Sequence, residues 1–155
     1  MIEHFEGKIA VLTGGGSGFG LECARIGARL GMKLVLVDVQ ADALARAQDE
    51  LLKMGAKVWT RNVDVSKTQD MEDLAKFVSS EVGVPHLVFN NAGVGAGGLI
   101  WENTVADWEW VMGVNVWGVV HDGHRHHPAA ADALYRFKDK HGPVVLLTNA
   151  PRVPA

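Results

Sequence analysis

Eight consecutive residues, Thr13-Gly14-Gly15-Gly16-Ser17-Gly18-Phe19-Gly20, hold five glycines. An apolar run, Lys8 to Leu12, precedes them and reads as a buried strand; Leu21 to Leu30, with apolar residues at helical spacing, follows. A turn between strand and helix places free backbone N–H groups and the positive end of the helix dipole at one point. The chemistry such a point offers is anion binding, and a pyrophosphate fits it. Glycine serves there because a Cβ would hold the backbone off the phosphates or forbid positive φ. The spacing is Gly14-x-x-x-Gly18-x-Gly20, not G-x-G-x-x-G, since position 19 is Phe. A surface glycine loop with no ligand is the alternative at this level.

Asp38 is the second chemical candidate. It stands eighteen positions beyond Gly20, at the end of Lys33-Leu34-Val35-Leu36-Val37. That is close to the spacing of a carboxylate that holds adenosine ribose hydroxyls in a dinucleotide site. Such a carboxylate accepts from the hydroxyls and repels a 2′-phosphate. Val39 follows where an arginine could have met that phosphate, and Ser17 offers no positive charge, so NAD is favoured over NADP. The competing reading is a strand-end Asp that caps the next helix.

Other candidates are weaker. Four histidines fall in His121-Asp122-Gly123-His124-Arg125-His126-His127-Pro128, where i, i+3 spacing could present two to a metal. No carboxylate or thiol cluster completes a ligand set, and Gly123 and Pro128 spoil a rigid scaffold. No metal is expected; a partly solvated, poorly ordered segment is. A local reading-frame slip would also produce the abrupt change in composition. Cys23, the single cysteine, lies in the first helix and reads as a small hydrophobe.

The elements that must position these residues alternate strand and helix. Strands are expected at 8–13, 33–37, 57–63 and 86–90, and helices at 18–30, 41–54 and 69–82. Gly31 and Gly55 serve as stops, and Ser66 or Thr68 as the cap of the third helix. A helix begins near Thr104 and carries Asn115 into an apolar face, where its amide must be satisfied. Trp101, Trp108, Trp110 and Trp117 read as packing and lid contacts. Alternation of this kind predicts an α/β fold with a doubly wound parallel sheet, the Rossmann architecture, with right-handed crossovers.

At 155 residues there is room for one domain, burying about 70% of its unfolded surface. Apolar content of 48% and charged content of 21% are ordinary for a globular chain. A formal charge of −3 and the lack of a basic stripe argue against nucleic acid as partner. One cysteine excludes an intrachain disulfide framework. No apolar stretch has the length of a signal core or a membrane span, so a cytoplasmic protein with no membrane partner is expected.

The glycine turn, with Asn90-Asn91-Ala92-Gly93 directly after the fourth strand, resembles the short-chain dehydrogenase/reductase family. The resemblance is continuous over residues 1–120, fails over the His-rich 121–141, and returns loosely over 142–150 as a fifth strand. It implies a single NAD(P)-binding Rossmann domain over 1–155. It also implies a cofactor site made of Thr13, Gly14, Gly16, Ser17, Gly18, Phe19, Gly20, Asp38, Asp64, Val65, Asn90, Asn91, Ala92 and Gly93. Asp64-Val65 resembles the family's adenine-contacting pair, though an Asp-Val-Ser that caps the third helix explains those residues too. Asn115 resembles the catalytic asparagine that holds a water for the proton relay, against the plainer reading of a satisfied core amide.

The family's catalytic serine would fall at Asn149, with Thr148 one place early. Its tyrosine and the lysine four residues later have no counterpart before Ala155: Tyr135 precedes the fifth strand, and position 139 is Asp. The chain therefore reads as truncated after the fifth strand, and the exposed edge implies self-association. Two functions are expected. One is an NAD-dependent oxidoreductase of the short-chain dehydrogenase type acting on an alcohol or carbonyl substrate. The other is a catalytically incomplete dinucleotide-binding fragment or interaction module.

Overall fold

The computed structural model describes residues 4–119 and 147–148. The order is β1 (Ile9–Thr13), α1 (Gly18–Arg29), β2 (Lys33–Asp38), α2 (Ala41–Lys53), β3 (Lys57–Asn62), α3 (Thr68–Phe77), β4 (Leu87–Asn90), α4 (Val105–Met112) and β5 (Leu147–Thr148). All the paired strands are parallel, in the spatial order β3-β2-β1-β4-β5. This is the expected α/β Rossmann architecture. The fifth strand is observed as Leu147 and Thr148, beside Phe89 and Asn90. The stretch His121–His127, Tyr135 with Lys138 and Lys140, and Asn149 lie outside the described residues.

Period-2 alternation divides the core into two layers. Ala10, Leu12, Leu34 and Leu36 face one side, where they meet Ala24 of α1 and Leu44, Ala47 and Leu51 of α2. Val11, Val35 and Val37 face the other, against Val63 and against Leu74 and Val78 from α3 and its extension. Strands buried on both faces must be apolar at successive positions, which is why β1 and the centre of β2 read as unbroken hydrophobic runs. Arg25 ties α1 to α2 through both carboxylate oxygens of Glu50 and also meets Glu22. Cys23 is half-buried against the first layer.

Two helical segments depart from expectation. The third helix is regular only to Phe77 and widens into a π-turn over Val78–Val82, closed by Gly83 N–H donating to Val78 C=O. Its N-cap is Lys67, not Ser66 or Thr68. The reason is local: the Ser66 hydroxyl donates to Asp64 Oδ1 at 2.6 Å, so it is not offered to the helix. The fourth helix starts where expected, on a reciprocal Thr104–Asp107 capping box, and becomes a π-turn over Gly113–Trp117. Among the described residues no helix is long and apolar enough to cross a membrane.

Candidate dinucleotide-binding site

The chain leaves the sheet at the carboxyl ends of β1, β2 and β4, and there a cavity of about 940 Å³ opens. The strand order reverses between β1 and β4, and crevices of α/β sheets form at such a switch point.

Thr13 anchors its floor. This residue is 3% exposed. Its hydroxyl accepts from the Asn91 and Ala92 N–H groups, each at 3.0 Å, and lies 3.5 Å from the Phe89 carbonyl. The Asn91 amide returns the link, donating to the Thr13 carbonyl at 3.1 Å. The glycine turn and the Asn90–Gly93 segment are thus one unit, although they are 77–79 residues apart in sequence. Glycine is required where these segments close. Gly14 has φ +64°, and a Cβ on it would stand 2.8 Å from the Asn91 side-chain nitrogen. A Cβ on Gly20 would collide with the Gly14 carbonyl oxygen.

Asp38 closes the other end. One carboxylate oxygen accepts from Gly16 N–H and the other from Gln40 N–H, both at 3.0 Å. The competing readings of this residue therefore merge: Asp38 organises the turn into α2 and still lines the cavity. Between these ends lies the N-terminus of α1. Its N-cap Ser17 makes no side-chain cap bond, and its first turn holds no acidic residue. By contrast α2, α3 and α4 carry Asp42, Asp70 and Asp107 in their first turns. The first turn of α1 thus brings no acid of its own to the helix's positive pole, on the wall of a cavity.

Asp64 also lines the cavity, with Oδ1 accepting from the Ser66 hydroxyl and N–H and Oδ2 3.5 Å from Lys67 Nζ. The Ser66 hydrogen bond, above all, holds its carboxyl below the usual range, against a smaller opposing effect of burial. Val65 is buried and sits under Gly118, whose missing Cβ would have met it at 2.8 Å. Asn115 is half-buried, with its amide on the Val94 backbone: Oδ1 accepts from Val94 N–H and Nδ2 donates to Val94 C=O, both at 2.8 Å.

Of the residues singled out from sequence, the cavity wall gathers Gly14, Ser17, Gly18, Phe19, Asp38, Asp64, Val65, Asn90, Asn91, Ala92, Gly93 and Asn115. Thr13, Gly16 and Gly20 do not line it; they hold its wall in shape. Phe19 is 81% exposed at the rim. Val39, Gln40, Val94, Trp110 and Val114 also line the cavity and were not singled out for binding. Adjacency to Asp38 was a usable signal for the first two. The i, i+4 pair Trp110 and Val114 needed the docking of α4, which no local pattern reveals.

Fold and cavity together define a domain of the Rossmann dinucleotide-binding class. More narrowly, residues 8–148 match the short chain dehydrogenase family, and the chain belongs to it. A short-chain dehydrogenase/reductase from Burkholderia phymatum, solved in complex with NAD, superposes with a TM-score of 0.75 at 55% identity, over 78% of this chain and 43% of that one. L-sorbose reductase from Gluconobacter frateurii, solved with NADPH and L-sorbose, gives 0.71 at 34% identity, over 77% and 46%. Cyclohexanol dehydrogenase from an Acinetobacter strain is 32% identical over 83% of this chain and 52% of its own length. The chain thus spans about half the length of the curated relatives it matches.

Proposed function

We propose that this chain is the cofactor-binding part of an NAD-dependent oxidoreductase that interconverts an alcohol and a carbonyl compound. The observation that carries the reading is the Asp38 carboxylate, fixed at the cavity's edge by the Gly16 and Gln40 amides. Each of its oxygens accepts one backbone N–H and keeps lone-pair capacity for a ribose hydroxyl. A 2′-phosphate in the same place would meet a fixed negative charge, with Val39 and Gln40 beside it and no cation on either residue. One relative is complexed with NAD and another with NADPH, so the choice rests on this residue and not on kinship.

The rest of the wall fits a dinucleotide. The N–H groups of Gly18, Phe19 and Gly20 open α1 in a first turn that carries no acid, as suits a pyrophosphate. The close approach at Gly14 and Gly20 leaves backbone, not side chain, as the contact surface. Asp64 and Val65 take the adenine side, and Asn90, Asn91, Ala92 and Gly93 the ribose side. Asn115 holds Val94 in place and keeps one amide hydrogen and one lone pair for a water in a proton path. The bound cofactor supplies the hydride chemistry. A secondary alcohol or ketone is the substrate class.

Calorimetric titration of the chain with NAD and NADP tests the central claim. NAD should bind at least about tenfold tighter, a difference of about 1.4 kcal/mol, and Asp38→Ala should narrow that gap. Equal affinities in the unsubstituted chain would overturn the assignment. For the activity, loss of NADH absorbance with a panel of ketones is expected from the protein that contains this chain.

A further inference from the structure

Asn62, the last residue of β3, does not line the cavity, yet it grips the backbone that carries Asp38. Its Nδ2 donates to two successive carbonyls, Asp38 C=O at 3.1 Å and Val39 C=O at 2.8 Å. The register explains the placement. Asp38 lies opposite Asn62 at the end of the β2–β3 ladder, and Val63 N–H makes the last backbone link to Asp38 C=O at 3.1 Å. Beyond that point β2 leaves the sheet for α2, and the Val39 carbonyl has no strand opposite it. The Asn62 amide takes the place of the missing ladder partner and extends the sheet's hold by one residue.

We infer that Asn62 is a positioning residue for cofactor choice, acting through Asp38 on whether a ribose hydroxyl or a 2′-phosphate is accepted. The inference rests on the NAD assignment above and goes one residue deeper. Its physical basis is orientation. Asp38 discriminates only while its carboxylate is held in one place, and hydrogen bonds from Gly16, Gln40, Asn62 and Val63 hold the 38–40 segment there. Gly16 and Gln40 fix the side chain; Asn62 fixes the main chain. Without the Asn62 amide, Val39 C=O turns to water and the 38–40 segment gains freedom. The carboxylate then trades one aimed geometry for several, and ribose hydroxyls lose more than a phosphate-bearing ribose does. Val39, 65% exposed, would no longer be held beside the site of the phosphate.

The size of the effect is bounded. Both hydrogen bonds are solvent-exposed, and such bonds are each worth less than or about a tenfold change. The NAD-to-NADP affinity ratio should therefore fall roughly three- to tenfold in Asn62→Ala. Asn62→Gln retains an amide donor and should recover part of the ratio. Thr60→Val is the control: it lies on the same strand, loses its bond to Gln48 at 3.3 Å, and touches nothing at Asp38. It should leave the ratio unchanged.

The experiment is a paired NAD and NADP titration of all four proteins, with the thermal midpoint of each recorded. A lower ratio in Asn62→Ala, partly restored in Asn62→Gln and unmoved in Thr60→Val, bears the inference out. Equal loss of both affinities, or an unchanged ratio, makes Asn62 merely structural and overturns it. If the unsubstituted chain shows no preference for NAD, the underlying assignment to Asp38 fails and this inference falls with it. The two failures are therefore told apart by the unsubstituted protein.

Discussion

Asn115 and Val94 are joined twice, the asparagine amide pairing with both backbone groups of the valine at 2.8 Å. The pairing crosses from the π-turn after α4 to the loop after β4. A side chain that reproduces both faces of a peptide group substitutes for a strand neighbour, and it sits on the cavity wall.

Asn115→Leu should therefore destabilise the chain by about 2–3 kcal/mol, because it leaves a partly buried donor and acceptor unpaired in one step. Urea denaturation measures the loss. Hydrogen exchange at the Val94 amide should accelerate more than exchange in β1 or β2. Equal protection of Val94 in both proteins would contradict the role.

Two glycines in the same turn should fail differently. Gly20→Ala drives a Cβ into the Gly14 carbonyl, so the turn must open, at a cost on the order of 3 kcal/mol. Gly18 has φ +52° and open space where its Cβ would go. Gly18→Ala should cost only the left-handed penalty of about 1–2 kcal/mol. Its Cβ would nonetheless point into space that a dinucleotide needs, so the loss of NAD affinity should exceed the loss of stability. Thermal melts and NAD titrations of the two variants separate the effects.

The sequence made the architecture legible because each strand carries its own signal. Leu34, Val35, Leu36 and Val37 can only be buried on both faces, and Gly31 and Gly55, at φ +74° and +82°, end helices as single-residue marks. The π-turns were not legible. The Ser79 hydroxyl donates back to Ala75 and Lys76 carbonyls at the end of α3, and Gly118 packs on Val65 from a distant element. Nor does periodicity reveal that Thr13 binds Asn91 and Ala92, or that Asn62 grips Val39. Those bonds connect residues far apart in the chain, and only the sheet order brings them together. Residue type and spacing located Asp38 at a strand end; its two amide partners required the fold.

Acid should remove a defined part of the stability. The folded state holds the Asp64 carboxyl below its unfolded value of about 3.9, chiefly through the Ser66 hydroxyl. A depressed carboxyl contributes stability above its unfolded pKa and loses it as pH falls through the folded value. Urea midpoints should therefore fall as pH drops below the unfolded value and through the lowered folded one. In Asp64→Asn that fall should be shallower, and in Ser66→Ala the Asp64 carboxyl should titrate closer to its ordinary value by NMR. An unchanged acid limb in Asp64→Asn would place the effect on other carboxylates. The exposed pairs Asp42–Arg46 and Asp73–Lys76 are among the alternatives, with Glu22 and Glu50 on Arg25 and Asp107 on Thr104, and salt would screen the ion pairs.

The acid-free first turn of α1 makes a prediction of opposite signs. Ser17 is extended at the N-cap, with no side-chain cap bond, and no acid follows in the first turn. If that vacancy were a defect, an acid there would improve the protein outright. If it is the pyrophosphate's place, stability and affinity must move apart. Ser17→Asp supplies both a cap acceptor and a charge on the favourable end of the dipole, together worth about 0.5–1 kcal/mol. The thermal midpoint without cofactor should rise. The same carboxylate would then hold the Phe19 or Gly20 N–H group and repel a second anion, so NAD affinity should fall by about tenfold or more. Ser17→Asn separates charge from capping: it should keep most of the stability gain with a smaller loss of affinity. Melting curves and NAD titrations on the three proteins give the answer. A Ser17→Asp chain that is both more stable and equally avid for NAD would remove the α1 N-terminus from the binding site.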